Sequence, residues 1–323
     1  TYVPDDNFEQ ALINLGYDNV LDDYVTTANI NTATFLDVSN QNISDLTGIE
    51  GFAVLSSLDC GNNQILNLDV SQNTALTILR CNENQLINLN VSQNTALIAL
   101  TCNNNQLTSI DVSTNTALTD LGCFNNQLTS LDVSGTISLT ELYCSNNQLT
   151  SIDVSTNTAL TDLGCNNNHL TSLDVSQNTA LFYLNCENNQ LTSLDLSNNI
   201  NLWLLTCGNS QLQCLNIANG NNVNLSDCYI SFSPLLYCIE ADDSVYMNNN
   251  WQQHFNPIDS QYYFSNNCSN FCSSISTLIQ EHSTNKELLK VTDLLGRETK
   301  GTKKEPLLYI YDDGTVEKRI IIK

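Results

Sequence analysis

Thirteen cysteines, three histidines and 34 acidic residues are the groups in this 323-residue sequence with chemistry to offer. Eight of the cysteines, Cys60, Cys81, Cys102, Cys123, Cys144, Cys165, Cys186 and Cys207, stand 21 residues apart. A thiol serves as a disulfide partner, a metal ligand or a nucleophile. If each 21-residue unit sets its cysteine on a parallel strand beside the next, the Cβ atoms lie about 4.8 Å apart, beyond the roughly 3.5–4.5 Å that a disulfide spans. Nor does a single column converge four ligands on one ion, as structural zinc requires. The ladder therefore predicts free, buried thiols acting as small apolar groups. Cys214, Cys238, Cys268 and Cys272 fall off the column, where oxidation would staple the end of the array. Four cysteines allow three pairings and the sequence does not choose among them; Cys238 with Cys268 is the pair we put forward.

The carboxylates also form a column, with Asp69, Asp111, Asp132, Asp153, Asp174 and Asp195 at equivalent places and Asn90 and Asn216 in the same slot. Like charges about 4.8 Å apart cost on the order of 1 kcal/mol each even at bulk dielectric, so something must offset them. The preferred reading is that each Asp of an Asp-x-Ser unit caps backbone amides of its own turn. The alternative is calcium held between neighbouring turns by Asp111, Asp132, Asp153, Asp174 and Asp195. No other metal and no cofactor is expected. His169 replaces a glutamine in a column of Gln64, Gln85, Gln106, Gln127, Gln148, Gln190 and Gln211, and His254 and His282 lack the partner spacing of a triad or zinc site. No catalytic arrangement stands out, and the chain does not read as an enzyme.

What must position these groups is the repeat itself. Around each cysteine the text follows Leu76-x-x-Leu79-x-Cys81-x-x-Asn84-x-Leu86-x-x-Leu89-x-Val91, the leucine-rich-repeat pattern with cysteine in one leucine slot. A single turn of this length cannot bury its own apolar face, so the turns stack into a curved leucine-rich-repeat solenoid with one short parallel strand each. The column Asn63, Asn84, Asn105, Asn126, Asn147, Asn168 and Asn189 stands where the chain leaves the strand, placed to satisfy backbone groups of adjacent turns. Ser210 takes that slot in the last regular turn, which predicts that the ladder ends there. Upstream, Asp5 or Asp6 begins a helix carrying Phe8, Leu12 and Leu15 on one face and closing at Gly16, a cap for the open solenoid end. Downstream, the segments at Leu205 and at Leu212–Leu215 recur 23 and 24 residues later. An aromatic closing stretch follows, with Trp251, Phe255, Tyr262, Tyr263 and Phe264. The expected organisation is a helical cap over 1–35, repeats over 36–217, an irregular repeat and closing segment over 218–272, and a small C-terminal β domain over 273–323.

Residues 1 to about 272 resemble the cysteine-ladder leucine-rich repeats of internalin-like bacterial adhesins. That resemblance implies a secreted or cell-surface scaffold that binds a protein or glycan. Strand alternation turns the residues flanking the leucines and cysteines outward onto the concave face. They run Ile78, Ala99, Asp120, Glu141, Asp162, Tyr183 in one column, Arg80, Thr101, Gly122, Tyr143, Gly164, Asn185 in the next, and Asn82, Asn103, Phe124, Ser145, Asn166, Glu187 in a third. Ile78, Arg80, Asp120, Phe124, Glu141, Tyr143, Asp162 and Tyr183 are the candidate ligand-binding residues, an acidic stripe beside exposed aromatics. A structural or calcium-binding surface-layer component, and an accessory part of an extracellular enzyme, are the competing readings.

From Ser273 the repeat vanishes. Segments Lys286–Glu298 and Leu307–Arg319 alternate like strands around an Asp-Gly turn. The Asp293-Leu294-Leu295-Gly296-Arg297-Glu298 run, the Tyr309-Ile310 strand and the Lys318-to-Lys323 terminus resemble a type IX secretion C-terminal sorting domain, though an early Asn-Pro element is missing. The resemblance implies that residues 273–323 engage the type IX machinery and that the protein reaches the exterior of a Gram-negative outer membrane. A start at Thr1 fits a mature chain whose export signal has been removed or left out. Residues 1–285 carry 27 acids against the single base Arg80, which makes nucleic acid a poor partner. No apolar run reaches the roughly 18 residues of a membrane span.

Overall fold

The computed structural model describes residues 1–209, 211–225, 227–230, 233–250 and 262–268, with only the backbone given at 250 and in three later strands. Contacts divide the chain into two units, Thr1–Cys272 and Ser273–Lys323. The first begins with helices α1 (Asp6–Asn14) and α2 (Thr27–Ile30). Strands β1 to β8 follow, at Phe35–Asp37, Ser57–Asp59, Ile78–Arg80, Ala99–Thr101, Asp120–Gly122, Glu141–Tyr143, Asp162–Gly164 and Tyr183–Asn185. Next come β9 (Ser193–Asp195), β10 (Leu204–Thr206), β11 (Cys214–Asn216), β12 (Asp227–Tyr229) and β13 (Cys238–Glu240), then helix α3 (Ser244–Asn250) and β14 (Tyr263–Ser265).

These strands make a parallel solenoid of about ten turns. One sheet runs β1 through β8 and continues with β10 and β12; a second, of order β9-β11-β13-β14, lines the opposite side of the last turns. Register is constant, with Leu58, Leu79, Leu100, Leu121, Leu142, Leu163 and Leu184 stacked as direct partners. In a representative turn Leu76, Leu79, Cys81, Leu86 and Val91 are wholly buried. Alternation along and just past the strand turns Leu79 and Cys81 inward, the rest of the turn brings Leu76, Leu86 and Val91 to the same interior, and each turn covers the apolar face of the one before. The recurrences at 23 and 24 residues are strand pairings, Leu205 with Cys228 and Cys214 with Cys238.

Two asparagine columns close the corners. Asn84 donates through Nδ2 to the carbonyls of Cys60, Cys81 and Asn82 and accepts the Ile65 N–H at 3.0 Å, so one side chain satisfies backbone groups of two turns. The same set repeats at Asn105, Asn126, Asn147, Asn168 and Asn189. Contrary to the expectation from Ser210, the ladder continues past Asn189. Asn209, one residue earlier, donates to the carbonyls of Cys186 and Cys207 and accepts the Asn189 N–H at 2.8 Å. The amide here stands two residues after its cysteine instead of three; Ser210 itself lies outside the described residues. The second column, Asn73, Asn94, Asn115, Asn157, Asn178 and Asn199, is fully buried. Asn94 donates to the carbonyls of Val70 and Asn73, both at 2.9 Å. A non-glycine residue at positive φ recurs once per turn, at Asn62, Glu83, Asn104, Asn125, Asn146, Asn167 and Asn188, where the backbone reverses in a left-handed conformation that asparagine tolerates.

At the N-terminus, Asp5 Oδ1 accepts the N–H groups of Asn7 and Phe8 and so caps α1. Its Oδ2 accepts the N–H and hydroxyl of Ser44 and the N–H of Asp45, tying the cap to the first turn. Burial opposes ionisation of Asp5, but these hydrogen bonds outweigh it and hold the carboxyl below its ordinary range. Phe8, Ala11 and Leu12 enter the core, whereas Leu15, expected on the same face, is half exposed. The helix stops at Asn14, leaving Leu15 as the C-cap, and Gly16 at φ +82° then turns the chain away.

At the other end Tyr262 packs against the core and Phe264 is buried within it; Trp251 and Phe255 lie outside the described residues. In the second unit, β15 (Leu288–Thr292), β16 (Pro306–Tyr311) and β17 (Val316–Ile320) form an antiparallel sheet, with Ile310 paired to Val316. Among the described residues no helix is long and apolar enough to cross a membrane.

Replacing Asn147 by alanine removes three donated bonds and orphans the buried Leu128 N–H. Urea unfolding is expected to show a loss of about 2–3 kcal/mol. Gln148→Ala, at the exposed next position, should change stability by no more than about 0.5 kcal/mol.

Candidate functional site

The cysteine column is core. Cys60, Cys81, Cys102, Cys123, Cys144, Cys165, Cys186 and Cys207 are free and buried, and Cys228 joins them in a leucine slot. Burial pushes every one of these thiols up, Cys102 and Cys144 to about 12, so none is a thiolate nucleophile or ready metal ligand at neutral pH. A disulfide joins Cys238 on β13 to Cys268, with Cα atoms 6.0 Å apart. Cys214, which faces Cys238 across the β11–β13 pair, is also disulfide-bonded; Cys272 lies outside the described residues. His169 is exposed on its turn, and His254 and His282 lie outside the described residues.

The aspartate column has its own intramolecular task. Oδ1 of Asp69, Asp111, Asp132, Asp153, Asp174 and Asp195 accepts the N–H two residues ahead at 2.9–3.0 Å, from Ser71, Ser113, Ser134, Ser155, Ser176 and Ser197. Hydrogen bonds from the serine hydroxyl and N–H hold Asp111, Asp132 and Asp153 below the ordinary carboxylate range. This is the capping geometry of an Asx turn. A shallow depression of about 350 Å³ between two turns is lined by Asp174 and Asp195.

A carboxylate cluster that the sequence pattern did not announce sits in the N-terminal cap. Side-chain oxygens of Glu9, Asp18 and Asp22 lie within 4.8 Å of one another. Glu9 is completely buried in α1 and accepts the N–H groups of Asp22, Asp23 and Tyr24, so its main role is to fold the 17–24 loop back onto the helix. Asp18 Oδ2 is buried with no hydrogen-bond partner.

The concave sheet carries the predicted ligand-binding residues. Asp120, Glu141 and Asp162 are direct register partners on β5, β6 and β7, and Tyr183 follows on β8. Ile78 and Arg80 lie on β3, two strands from β5. Asp120, Phe124, Glu141, Tyr143, Asp162 and Tyr183 are half-buried, Arg80 is exposed and Asn103 is buried. The Thr119 hydroxyl is hydrogen-bonded to Asp120 Oδ2, and the Thr161 hydroxyl donates to Asp162 Oδ2 at 2.7 Å. Glu141 stands between those two aspartates. Burial first, and then repulsion from Asp120 and Asp162, raises its carboxyl above the usual range. Burial and the same acids push Tyr143 to about 12.

Tyr143 lies between two glycines in its column. A methyl group at Gly164 would meet Tyr143 Cδ1 at 3.0 Å, while one at Gly122 would meet nothing nearer than Thr101 Cγ2 at 3.6 Å. The ring thus leans over Gly164 and leaves a notch above Gly122. On the rim, Phe182 and Trp203 stack with centroids 5.4 Å apart and planes 3° from parallel. They are 46% and 40% exposed. The pair escaped the pattern because it occupies a column that earlier turns fill with Thr77, Ile98, Thr119, Thr140 and Thr161; its 21-residue spacing was the available signal.

Comparison with known proteins agrees with this geometry. A family model for leucine-rich repeats in two copies matches residues 137–178. Internalin J of Listeria monocytogenes serotype 4b (strain F2365) is 38% identical over 73 residues, 23% of this chain and 8% of its own length. The functional domain of InlJ from Listeria monocytogenes, a structure that includes a cysteine ladder, has a TM-score of 0.59 and 33% identity. The match covers 74% of this chain and 60% of that one. The chain is an internalin-like leucine-rich-repeat solenoid. Its cysteine ladder is homologous to that of InlJ. Internalin C2 from L. monocytogenes strain 4b F2365 shares the fold at 23% identity and a TM-score of 0.59, over 62% of this chain and 92% of that one. The internalin-like fold is typical of protein-interaction or adhesion modules and is a scaffold usually without enzyme activity.

Two outcomes follow for the solenoid. The nine free thiols among the described residues should stay unreactive toward a thiol-titrating reagent in the native state and react together on unfolding. For Glu141 the folded value is raised, so its favourable contribution is present below the ordinary carboxyl range and lost as pH rises through that value. Glu141→Gln should therefore raise the melting temperature at neutral pH, with the gain vanishing once the pH falls below the ordinary carboxyl range. The lowered aspartates act with the opposite sign, losing their contribution as pH falls below 3.8.

Proposed function

We propose that this chain is a secreted or cell-surface binding scaffold that holds a protein or glycan ligand on the concave sheet. The observation that carries this reading is the placement of half-buried Tyr143 and Tyr183 and the exposed, stacked Phe182 and Trp203 on or beside one sheet face, next to the Asp120–Glu141–Asp162 row. Aromatic side chains ringed by polar groups are the usual anchors of an interface. Ile78, Arg80, Asp120, Phe124, Glu141 and Asp162 complete the proposed contact surface. Such a face needs no catalytic group and no cofactor.

The second unit supports an exported location in a different way. Its three-stranded antiparallel sheet and the terminal Lys318-Arg319-Ile320-Ile321-Ile322-Lys323 run are consistent with a type IX sorting domain acting at the outer membrane of a Gram-negative bacterium.

The test is binding of the full chain to a panel of extracellular proteins, polysaccharides and whole cells. Saturable binding is expected, with a loss of at least about tenfold in the Phe124→Ala, Tyr143→Ala, Tyr183→Ala triple variant and little change in its melting temperature. Undiminished binding in that variant would show that the ligand sits elsewhere.

A further inference from the structure

The chemistry of the concave face specifies one kind of partner. Among residues 1–285 there is a single base, Arg80, and it stands on β3, two strands away from β5. No cationic side chain therefore answers the Asp120–Glu141–Asp162 row from within the solenoid. The row is held in place by its own turns, because the Thr119 and Thr161 hydroxyls fix the two outer carboxylates. Burial, and after it the two flanking aspartates, disfavours Glu141 as an anion.

Beside this row the sheet carries no side chain at Gly122, where an added Cβ would meet only Thr101 Cγ2, at 3.6 Å. Gly122 lies two residues after Asp120 on the same face of β5, with Thr101 and Tyr143 as its partners on β4 and β6. Phe124 follows two residues on. Because Tyr143 leans toward Gly164, the space above Gly122 remains open. A flexible aliphatic stem entering there meets the Tyr143 ring on one side and the Thr101 methyl on the other, and a terminal cation comes beside Asp120 and Glu141. Arginine and lysine both combine such a stem with such a charge, and both gain from an aromatic face.

Resting on the concave-face reading above, we propose that the notch over Gly122 receives an arginine or lysine side chain of a basic protein partner. The Asp120–Glu141–Asp162 row neutralises its charge, while Tyr143 and Phe124 pack its stem. The partner's basic segment continues along the sheet toward Tyr183 and the Phe182–Trp203 rim. Complementarity of charge selects this occupant over an acidic protein or a neutral glycan.

The probe is a short fluorescent peptide of alternating arginine and serine, titrated against the full chain, with a glutamate–serine peptide as control. A generally acidic protein attracts cations anywhere on its surface, so position is the decisive comparison. Asp120→Asn, Glu141→Gln, Asp162→Asn and, separately, Asp111→Asn, Asp132→Asn, Asp153→Asn remove the same net charge from the concave face and from the Asx-turn column. Asparagine already occupies that turn column at Asn90 and Asn216, so the second variant keeps its caps. Gly122→Phe fills the notch without changing charge. Its Cβ has room, and Gly122 is not at positive φ, so it is expected to fold, with a melting curve as the check.

Affinity for the arginine peptide should fall about tenfold or more in the concave triple and in Gly122→Phe, and less than about twofold in the turn-column triple. It should also weaken as ionic strength rises from about 50 to 300 mM. Equal losses in the two triples, or unchanged binding in Gly122→Phe, overturn the proposal. If either happens while a panel ligand still depends on Phe124, Tyr143 and Tyr183, the concave face remains the binding surface and only its preference for a basic partner falls.

Discussion

Each turn must bring its backbone round within 21 residues to a point one strand spacing, about 4.8 Å, further along the stack, and the corners leave peptide groups pointing into a dry interior. Unpaired, each such group costs about as much as a lost hydrogen bond. The asparagine amides answer this requirement. Asn84 alone engages the carbonyls of Cys60, Cys81 and Asn82 and the N–H of Ile65, linking its own turn to the one before. The strand leucines stack in register because these corners repeat with the same geometry, and the cysteine column follows because the space beside each corner admits a small apolar group. The concave face inherits its regularity from the same source, since residues on adjacent strands are brought opposite one another turn after turn.

Much of this was legible in the sequence because a period along the chain becomes a column in space. The cysteines, the strand leucines, the Asx-turn aspartates and the outward-facing rows all have fixed 21-residue spacing. Legibility failed where the period broke or where one residue type served two purposes. Asn209 carries the amide ladder onward from one position earlier than the column, and a reading tied to the slot of Ser210 missed it. The buried column from Asn73 to Asn199 had the right spacing, but a polar side chain among apolar ones looks like a surface turn until its carbonyl partners are seen. Glu9 was hidden for a different reason. Its partners are three N–H groups 13 to 15 residues away, in a loop with no repeat to predict its path.

The candidate site was only half legible. Alternation identified which residues face outward, and register placed Asp120, Glu141 and Asp162 side by side. Side-chain direction lay beyond that reasoning. The lean of Tyr143 over Gly164, the opening above Gly122 and the stacking of Phe182 on Trp203 arise from packing between particular neighbours. The interior tolerates little variation because each position is covered above and below, whereas a concave residue has only lateral neighbours and is free to differ from turn to turn. Specificity can therefore change on this scaffold without disturbing what holds it together.

The same nearest-neighbour construction governs the response to pulling. Side-chain amides reach only into the adjoining turn, and each strand pairs only with the strands beside it. Tension applied through the ends is met by one interface at a time, and a detached turn pays out about 70 Å of extended chain. A solenoid held at a surface in flowing liquid would lengthen in steps, dissipating the load at its terminal turns while the turns bearing Asp120, Tyr143 and Tyr183 keep their shape.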